Sequence, residues 1–142
     1  MTYRYLPPFG IRVLQLVILI ESFLRGFSYV AAPHGVLATT DLIHSAPMSV
    51  WGALFMGFAV LGLFGEALMS GTSPSFGNGA NPRAWPSFVA HAGLMILYVT
   101  IAVAYAGAVA DGELGLASAP PAMAVFAFTH WLFARRRKYH AS

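Results

Sequence analysis

Apolar residues dominate four long stretches of this chain, and polar residues collect in the segments between them. The stretches cover residues 9–32, 47–70, 84–110 and 118–134. A helix needs about 20 mostly apolar residues to cross a hydrocarbon core of ~30 Å, and each stretch is close to that length. The pattern predicts an all-α protein with one domain, a bundle of four antiparallel transmembrane helices. An alternative merges the short last stretch with its neighbour or drops it.

The composition of the 142 residues also favours a membrane protein, because 58% are hydrophobic and only 9% are charged. An average soluble domain is about 25% charged, so this chain has too few charges to cover a water-exposed surface. The chain contains no cysteine. Disulfides, thiol chemistry and cysteine-ligated metal sites are therefore excluded.

Two charged residues interrupt the middle of the first stretch. Glu21 and Arg25 would each cost roughly 2.5–3.5 kcal/mol at the centre of an inserted helix. They lie one helical turn apart with the acid first, so they share a face and can form an ion pair. A helix that carries such a pair requires neighbouring helices on that face, and the other three stretches supply them.

The remaining charges predict the orientation of the chain. If the N-terminus is cytoplasmic, every basic residue except Arg25 falls on the cytoplasmic side, and Asp41, Asp111 and Glu113 fall on the other side. Lys and Arg are enriched in cytoplasmic loops, so we predict a multi-pass protein of the cytoplasmic membrane with both termini cytoplasmic. The tail, residues 135–142, is predicted to anchor this topology and to contact lipid headgroups. Its basic residues are Arg135, Arg136, Arg137 and Lys138.

Orientation also gives a depth to each ionisable group inside the stretches. Glu66, His91 and His130 fall in the cytoplasmic half and are predicted to meet in one layer, with Glu21 and Arg25 a turn or two away. This polar cluster is open to three interpretations: structural pairing between helices, a proton-responsive or ion-conducting cluster, and a metal or haem site. No two histidines have the i, i+3 or i, i+4 spacing of bundle metal motifs, so neither a metal nor a cofactor is predicted.

Small residues recur every four positions in the middle of two stretches. Ala53 and Gly57 form one such pair, and Ala102 and Ala106 form another. This spacing allows the backbones of transmembrane helices to approach closely. We therefore predict that Gly57, Ala102 and Ala106 are helix-packing positions.

Several of these features together resemble a known group of proteins. The segment ESFLRGFSY at 21–29 is followed by PMSVWG at 47–52, by a glycine-spaced helix that closes in GE at 65–66, and by His91 early in the third stretch. The combination resembles the small four-span membrane proteins of actinobacteria and their tailed phages, some of which are described as holins. The resemblance implies a membrane-active bundle and assigns no role to a particular residue.

Catalytic motifs are missing from the sequence, which has no HExxH and no recognisable Ser, His and acid arrangement. We therefore predict a non-enzymatic, holin-like protein that self-associates in the cytoplasmic membrane and permeabilises it. Its expected partners are the lipid bilayer and either further copies or a larger membrane complex, with no role for nucleic acid. The alternative is an accessory or scaffold subunit of a respiratory or transport complex.

Overall fold

A computed structural model describes residues 8–31, 46–70 and 84–141, with side chains described from Phe9 to Arg135 within these ranges. This part of the chain is all-α, as predicted. Its long helices are α1 (Pro8–Ala31), α2 (Met48–Ser70), α3 (Trp85–Ala110) and α4 (Ala119–Ala141), with a short 3-10 helix at Leu114–Leu116. Each of the four is long and apolar enough to cross a membrane, judged by length and composition.

The bounds of the first three helices agree with the predicted stretches to within one residue. The fourth helix is separate from the third. It extends beyond the predicted end at residue 134 and continues to Ala141. Residues 135–141 of the predicted basic tail are therefore helical. Arg and Lys are good helix formers, so a helix can extend beyond its apolar part into the polar surroundings.

The turn between α3 and α4 is closed by a glycine. Gly112 has φ +107°, a conformation that L side chains rarely adopt. The amide of Gly112 donates to Val109 O (3.1 Å), and the amide of Glu113 donates to Ala108 O (3.0 Å). These two bonds form a Schellman motif, which satisfies the last carbonyls of α3 and reverses the chain. Pro120 and Pro121 then fall in the first turn of α4, where a missing amide proton costs little.

Consecutive helices pack against each other in antiparallel directions. Between α1 and α2, Gln15 contacts Glu66 and Gly26 contacts Gly52, so the residue numbers run in opposite senses. The same reversal holds between α2 and α3, through Glu66 with Ser87 and Phe55 with Tyr98. It also holds between α3 and α4, through His91 with His130 and Tyr98 with Phe126. These contacts establish the four-helix bundle.

The backbones of α1 and α2 approach each other closely at two glycines. A Cβ atom built on Gly52 would lie 2.5 Å from Gly26 O, and one built on Gly26 would lie 2.6 Å from Gly52 O. Only glycine fits at both positions. Above this contact an aromatic row fills the core, because Phe55 packs edge-to-face on Tyr29 (6.0 Å between ring centroids) and on Tyr98 (5.0 Å).

The outer surface of the bundle is apolar on every helix. Large aliphatic and aromatic side chains are more than 40% exposed on all four, for example Val17, Val60, Val103 and Val125. A patch of this extent is not typical of soluble monomers and is characteristic of a surface that contacts lipid or another membrane protein. The described helices thus suggest a multi-pass membrane protein.

Candidate functional site

A hydrogen-bonded network of polar side chains lies inside the bundle and joins all four helices. We call it the polar network. It links the side chain of Glu66 at one end to the Glu21–Arg25 pair at the other. Its members are Gln15, Glu21, Ser22, Arg25, Glu66, Ser87, His91, Tyr98 and His130.

Two of the network residues on α1 are buried and lie on the same face of the helix. Gln15 and Ser22 are 1% and 0% exposed. They are seven residues apart, which is close to two helical turns, so they lie on one face of α1. On α3, Ser87, His91 and Tyr98 are fully buried. Successive members of this set are four and seven residues apart, so they also share one face of their helix. The polar faces of α1 and α3 therefore meet inside the bundle.

The first end of the network surrounds the carboxylate of Glu66. Glu66 Oε1 accepts hydrogen bonds from Gln15 Nε2 (2.6 Å) and from Ser87 Oγ (2.7 Å). The same Gln15 Nε2 lies 2.9 Å from His91 Nε2. An amide nitrogen can only donate, so its two protons serve Glu66 and His91, and His91 Nε2 is the acceptor.

The assignment at Gln15 determines the tautomers of both histidines. His91 accepts at Nε2, so in its neutral form it carries its proton on Nδ1 and donates it to His130 Nδ1, 2.8 Å away. His130 then carries its proton on Nε2 and donates it to Ser22 Oγ (3.2 Å). Both rings are fully buried, and His91 also stacks on Phe133 with 5.3 Å between ring centroids. The two histidines thus form one directed segment.

Beyond Ser22 the network reaches the charged pair. The hydroxyl of Ser22 lies 2.8 Å from its own-helix carbonyl, Ile18 O, and 3.1 Å from the hydroxyl of Tyr98, so its proton has two possible acceptors. Tyr98 in turn donates to Glu21 Oε2. Tyr98 also stacks on the ring of His130, with 5.4 Å between centroids. Each step from His91 to Glu21 is therefore a direct hydrogen bond.

Glu21 and Arg25 form the ion pair that their spacing predicts. Arg25 Nε donates to Glu21 Oε1 (2.8 Å), and Arg25 Nη2 donates to the same oxygen. The guanidinium also lies over the rings of Tyr98 (5.6 Å) and Phe126 (5.5 Å), which stabilises a cation by cation–π attraction. The pair is partly open, with side-chain exposures of 22% for Arg25 and 27% for Glu21, and it borders a groove along α1 that continues to Ser28.

Buried polar side chains have hydrogen-bond partners almost throughout the part of the chain that the structure describes. There, the indole Nε1 of Trp51 is the one buried side-chain polar atom without a hydrogen-bond partner. A polar network stabilises a membrane bundle only if its members are paired, because an unpaired polar group in an apolar medium costs several kcal/mol. The network meets this condition.

The structure brings together all five ionisable residues that the sequence singled out. His91 contacts His130 directly, Glu66 is linked to His91 through Gln15, and the Glu21–Arg25 pair joins through Tyr98. Sequence reasoning missed four members of the network, and their spacing on α1 and α3 was the available signal. They are Gln15, Ser22, Ser87 and Tyr98.

The predicted packing residues occupy different places from those expected. Nothing lies within 4 Å of a Cβ built on Gly57, and Ala106 is exposed, so neither packs against another described helix of the same chain, and their packing between copies stays a prediction. Ala102 is partly buried against the core. The physical reason is that small residues occur on several faces of α2, and the face with Gly52 is the one that meets α1.

At the basic end of α4, the last side chain that the structure describes is that of Arg135. Arg135 is exposed, and its guanidinium lies over the Trp131 ring at 5.4 Å. The side chains of Arg136, Arg137 and Lys138 lie outside the described residues, so their contact with lipid headgroups remains a prediction. Among the described side chains, no group of three or more His, Asp and Glu is arranged to hold a metal ion.

Comparison with family models, with curated proteins and with solved structures finds no match to this chain. The functional argument therefore rests on the geometry of the bundle and of its polar network.

Proposed function

We propose that this chain is a small, non-enzymatic, multi-pass protein that self-associates in the cytoplasmic membrane and permeabilises it, as holins do. The observation that supports the proposal is the location of the polar network. It lies where α1 meets α3 and α4, a contact that we call the α1 seam. Backbones approach closely between consecutive helices, whereas α1 meets α3 and α4 mainly through side chains of the network.

The α1 seam is the interface of the bundle that is easiest to open. Interhelical hydrogen bonds between side chains in membranes contribute about 0.6 kcal/mol each on average, which is little compared with close backbone packing. An opened seam exposes Gln15, Ser22 and the charged pair on α1, and His91 and Tyr98 on α3. These groups can all bond to water, so copies that associate through opened seams would line an aqueous path.

The orientation belongs to the same proposal. With both termini in the cytoplasm, Arg12 and Arg135 lie on the cytoplasmic side, and Asp111 and Glu113 lie on the other, as the positive-inside rule requires. In this orientation the Glu66 end of the network is the one nearer the cytoplasm. The lipid bilayer and further copies of the chain are the proposed partners.

Inducible expression in bacterial cells with a membrane-potential dye tests the proposal, followed by release of carboxyfluorescein from vesicles that contain the purified protein. We expect depolarisation, and dye release that rises more steeply than linearly with the protein-to-lipid ratio because copies must associate. Replacing Glu21→Leu together with Arg25→Leu should leave a folded protein with lower dye release. The matched control, Arg12→Leu with Glu113→Leu, also removes one acid and one base but lies outside the network, and it should release dye normally.

Folded protein that neither depolarises cells nor releases dye at any protein-to-lipid ratio would contradict the proposal. That result would favour the alternative, an accessory or scaffold subunit of a membrane complex. A subunit of that kind uses its apolar outer faces to pack on partners and has no need of a seam that opens.

A further inference from the structure

The polar network contains an ordered series of groups that can each accept a proton on one side and release one on the other. An imidazole has two ring nitrogens, and a hydroxyl both donates and accepts, so His91, His130, Ser22 and Tyr98 all qualify. They are linked by direct hydrogen bonds of 2.8 Å, 3.2 Å and 3.1 Å, and Tyr98 then donates to Glu21. All of these groups except Glu21 are buried, which keeps bulk water away from the series.

Gln15 differs from its neighbours in this series. It stands between Glu66 and His91, with its Nε2 at 2.6 Å from Glu66 Oε1 and 2.9 Å from His91 Nε2. To pass a proton to His91 it would have to become an amide anion, which is far too unstable at physiological pH. The amide therefore gives the network its direction and also blocks it on the Glu66 side.

We propose that the polar network is a proton path from the Glu66 side to Glu21 through the interior of a single chain, and that the Gln15 side chain is the plug that keeps it closed. The cation conducted is H⁺. The path lies within one bundle, so it does not depend on the self-association that permeabilisation to larger solutes requires.

The transfer along the path conserves protons and charge. His91 takes up a proton at Nε2 and gives its Nδ1 proton to His130 Nδ1, and His130 gives its Nε2 proton to Ser22. Ser22 turns its own proton from Ile18 O toward the Tyr98 oxygen and transfers it there, while Tyr98 gives its proton to the Glu21 carboxylate, so both hydroxyls end with one proton each. One proton enters at His91 and one leaves the series at Glu21, while both histidines change tautomer and remain neutral.

A carboxylate stands at each end of the path. Arg25 from α1 holds the Glu21 carboxylate, and Glu66 from α2 provides a carboxylate at the entrance. The residues from Gln15 to Arg25 cover about 15 Å along α1 at 1.5 Å per residue, which is roughly half of a ~30 Å hydrocarbon core. Glu21 and Arg25 border an open groove on the surface of α1, so the series reaches the outside of the bundle at Glu21.

The test is proton flux into vesicles of phosphatidylethanolamine and phosphatidylglycerol that enclose a pH-sensitive dye, with full-length protein at fewer than one chain per vesicle on average. A potassium gradient with valinomycin supplies the driving potential. We expect slow flux for wild type and an increase of at least about tenfold for Gln15→Glu, because a carboxylic acid can both donate and accept a proton, and such groups change proton-transfer rates by about 10²–10⁴-fold. Gln15→Met, of similar length but unable to relay a proton, should stay at the wild-type level.

Second substitutions then test whether the added flux follows the network. In the Gln15→Glu background, Ser22→Ala and Tyr98→Phe should each return the flux to the wild-type level. Thr100→Val and Tyr105→Phe are the matched controls, since each removes one hydroxyl from α3 outside the path, and they should leave the flux high. If Gln15→Glu does not fold, Gln15→His carries the same expectation.

Three results would overturn the proposal: no increase in a folded Gln15→Glu or Gln15→His variant, wild-type flux already as high as that of Gln15→Glu, or high flux that survives both Ser22→Ala and Tyr98→Phe. Carboxyfluorescein release is measured on the same preparations. A protein that conducts protons but retains the dye would fail as a permeabilising protein and still support the proton path, so the two proposals can fail separately.

Discussion

The contact between Gly26 and Gly52 allows a quantitative test of how α1 is held on α2. We predict that Gly52→Ala destabilises the bundle by about 2–3 kcal/mol, the upper part of the range for overpacking. The new Cβ would lie 2.5 Å from Gly26 O, about 0.9 Å inside the 3.4 Å at which ordinary contact begins, and Val30 Cγ2 would lie at 2.8 Å. The carbonyl oxygen belongs to the backbone, so the two helices must separate to make room.

The double variant makes the prediction more specific. Gly26→Ala requires the helices to move by about 0.8 Å, since its Cβ would lie 2.6 Å from Gly52 O. The same separation relieves both contacts, so Gly26→Ala with Gly52→Ala should cost clearly less than the sum of the single variants. Gly57→Ala is the matched control on α2, because nothing lies within 4 Å of its Cβ, and its effect should be close to zero.

Unfolding in mixed micelles, followed by far-ultraviolet circular dichroism as the fraction of denaturing detergent rises, measures these free energies. The close-approach argument is refuted if Gly52→Ala unfolds at the same detergent fraction as Gly57→Ala. It is also refuted if the two single effects add fully, since that would mean the two glycines relieve independent contacts.

Further predictions concern the charged pair, the outer faces and the topology. Glu21→Ala or Arg25→Ala alone should lower the free energy of unfolding in micelles by about 1–3 kcal/mol, less than for a fully buried pair because both side chains are partly exposed, whereas Glu21→Leu with Arg25→Leu should restore it. Single variants as stable as wild type would refute the pairing argument. Gly57→Leu and Ala106→Leu lie on the outside of the bundle and should reduce association between copies in cross-linking experiments without changing unfolding; unchanged association would show that these faces contact lipid. Reporter fusions at Gly112 and at the C-terminus should report opposite sides, and a periplasmic C-terminus would contradict the orientation.

The sequence predicted the parts of this fold that depend on hydrophobicity along the chain. The number of helices, their bounds to within a residue for three of them, and the Glu21–Arg25 pair all follow from local patterns. The rotation of each helix about its axis did not, because these helices are apolar on most sides and the pattern has no single face. That rotation decides why Gly52 packs and Gly57 does not.

The polar network was predictable in part for the same reason. Glu66, His91 and His130 were recognised because ionisable groups are costly in a membrane, and their depth followed from the helix directions. Gln15 and Ser22 are neutral and cost less in a membrane than ionisable groups, so their seven-residue spacing was the available signal and did not by itself mark them as buried. Their shared face becomes significant only when His91 and His130 are seen opposite it.

The polar network explains why one arrangement of the four helices is preferred over others. In lipid, an apolar helix can rotate about its axis with little change in free energy, since its side chains make similar apolar contacts with lipid tails and with neighbouring helices. A rotation of α1 that separates Gln15 from Glu66 or Ser22 from His130 would leave buried polar groups unpaired, which is costly. The network therefore selects the register of the bundle. Because pairing every donor with an acceptor also produces an unbroken line of proton-relaying groups from His91 to Glu21, the structural and the proton-conducting roles are compatible. Substitutions that keep shape and remove only a hydroxyl, such as Tyr98→Phe, separate the two: a structural role predicts a change in stability, and a conducting role predicts a loss of proton flux beyond it.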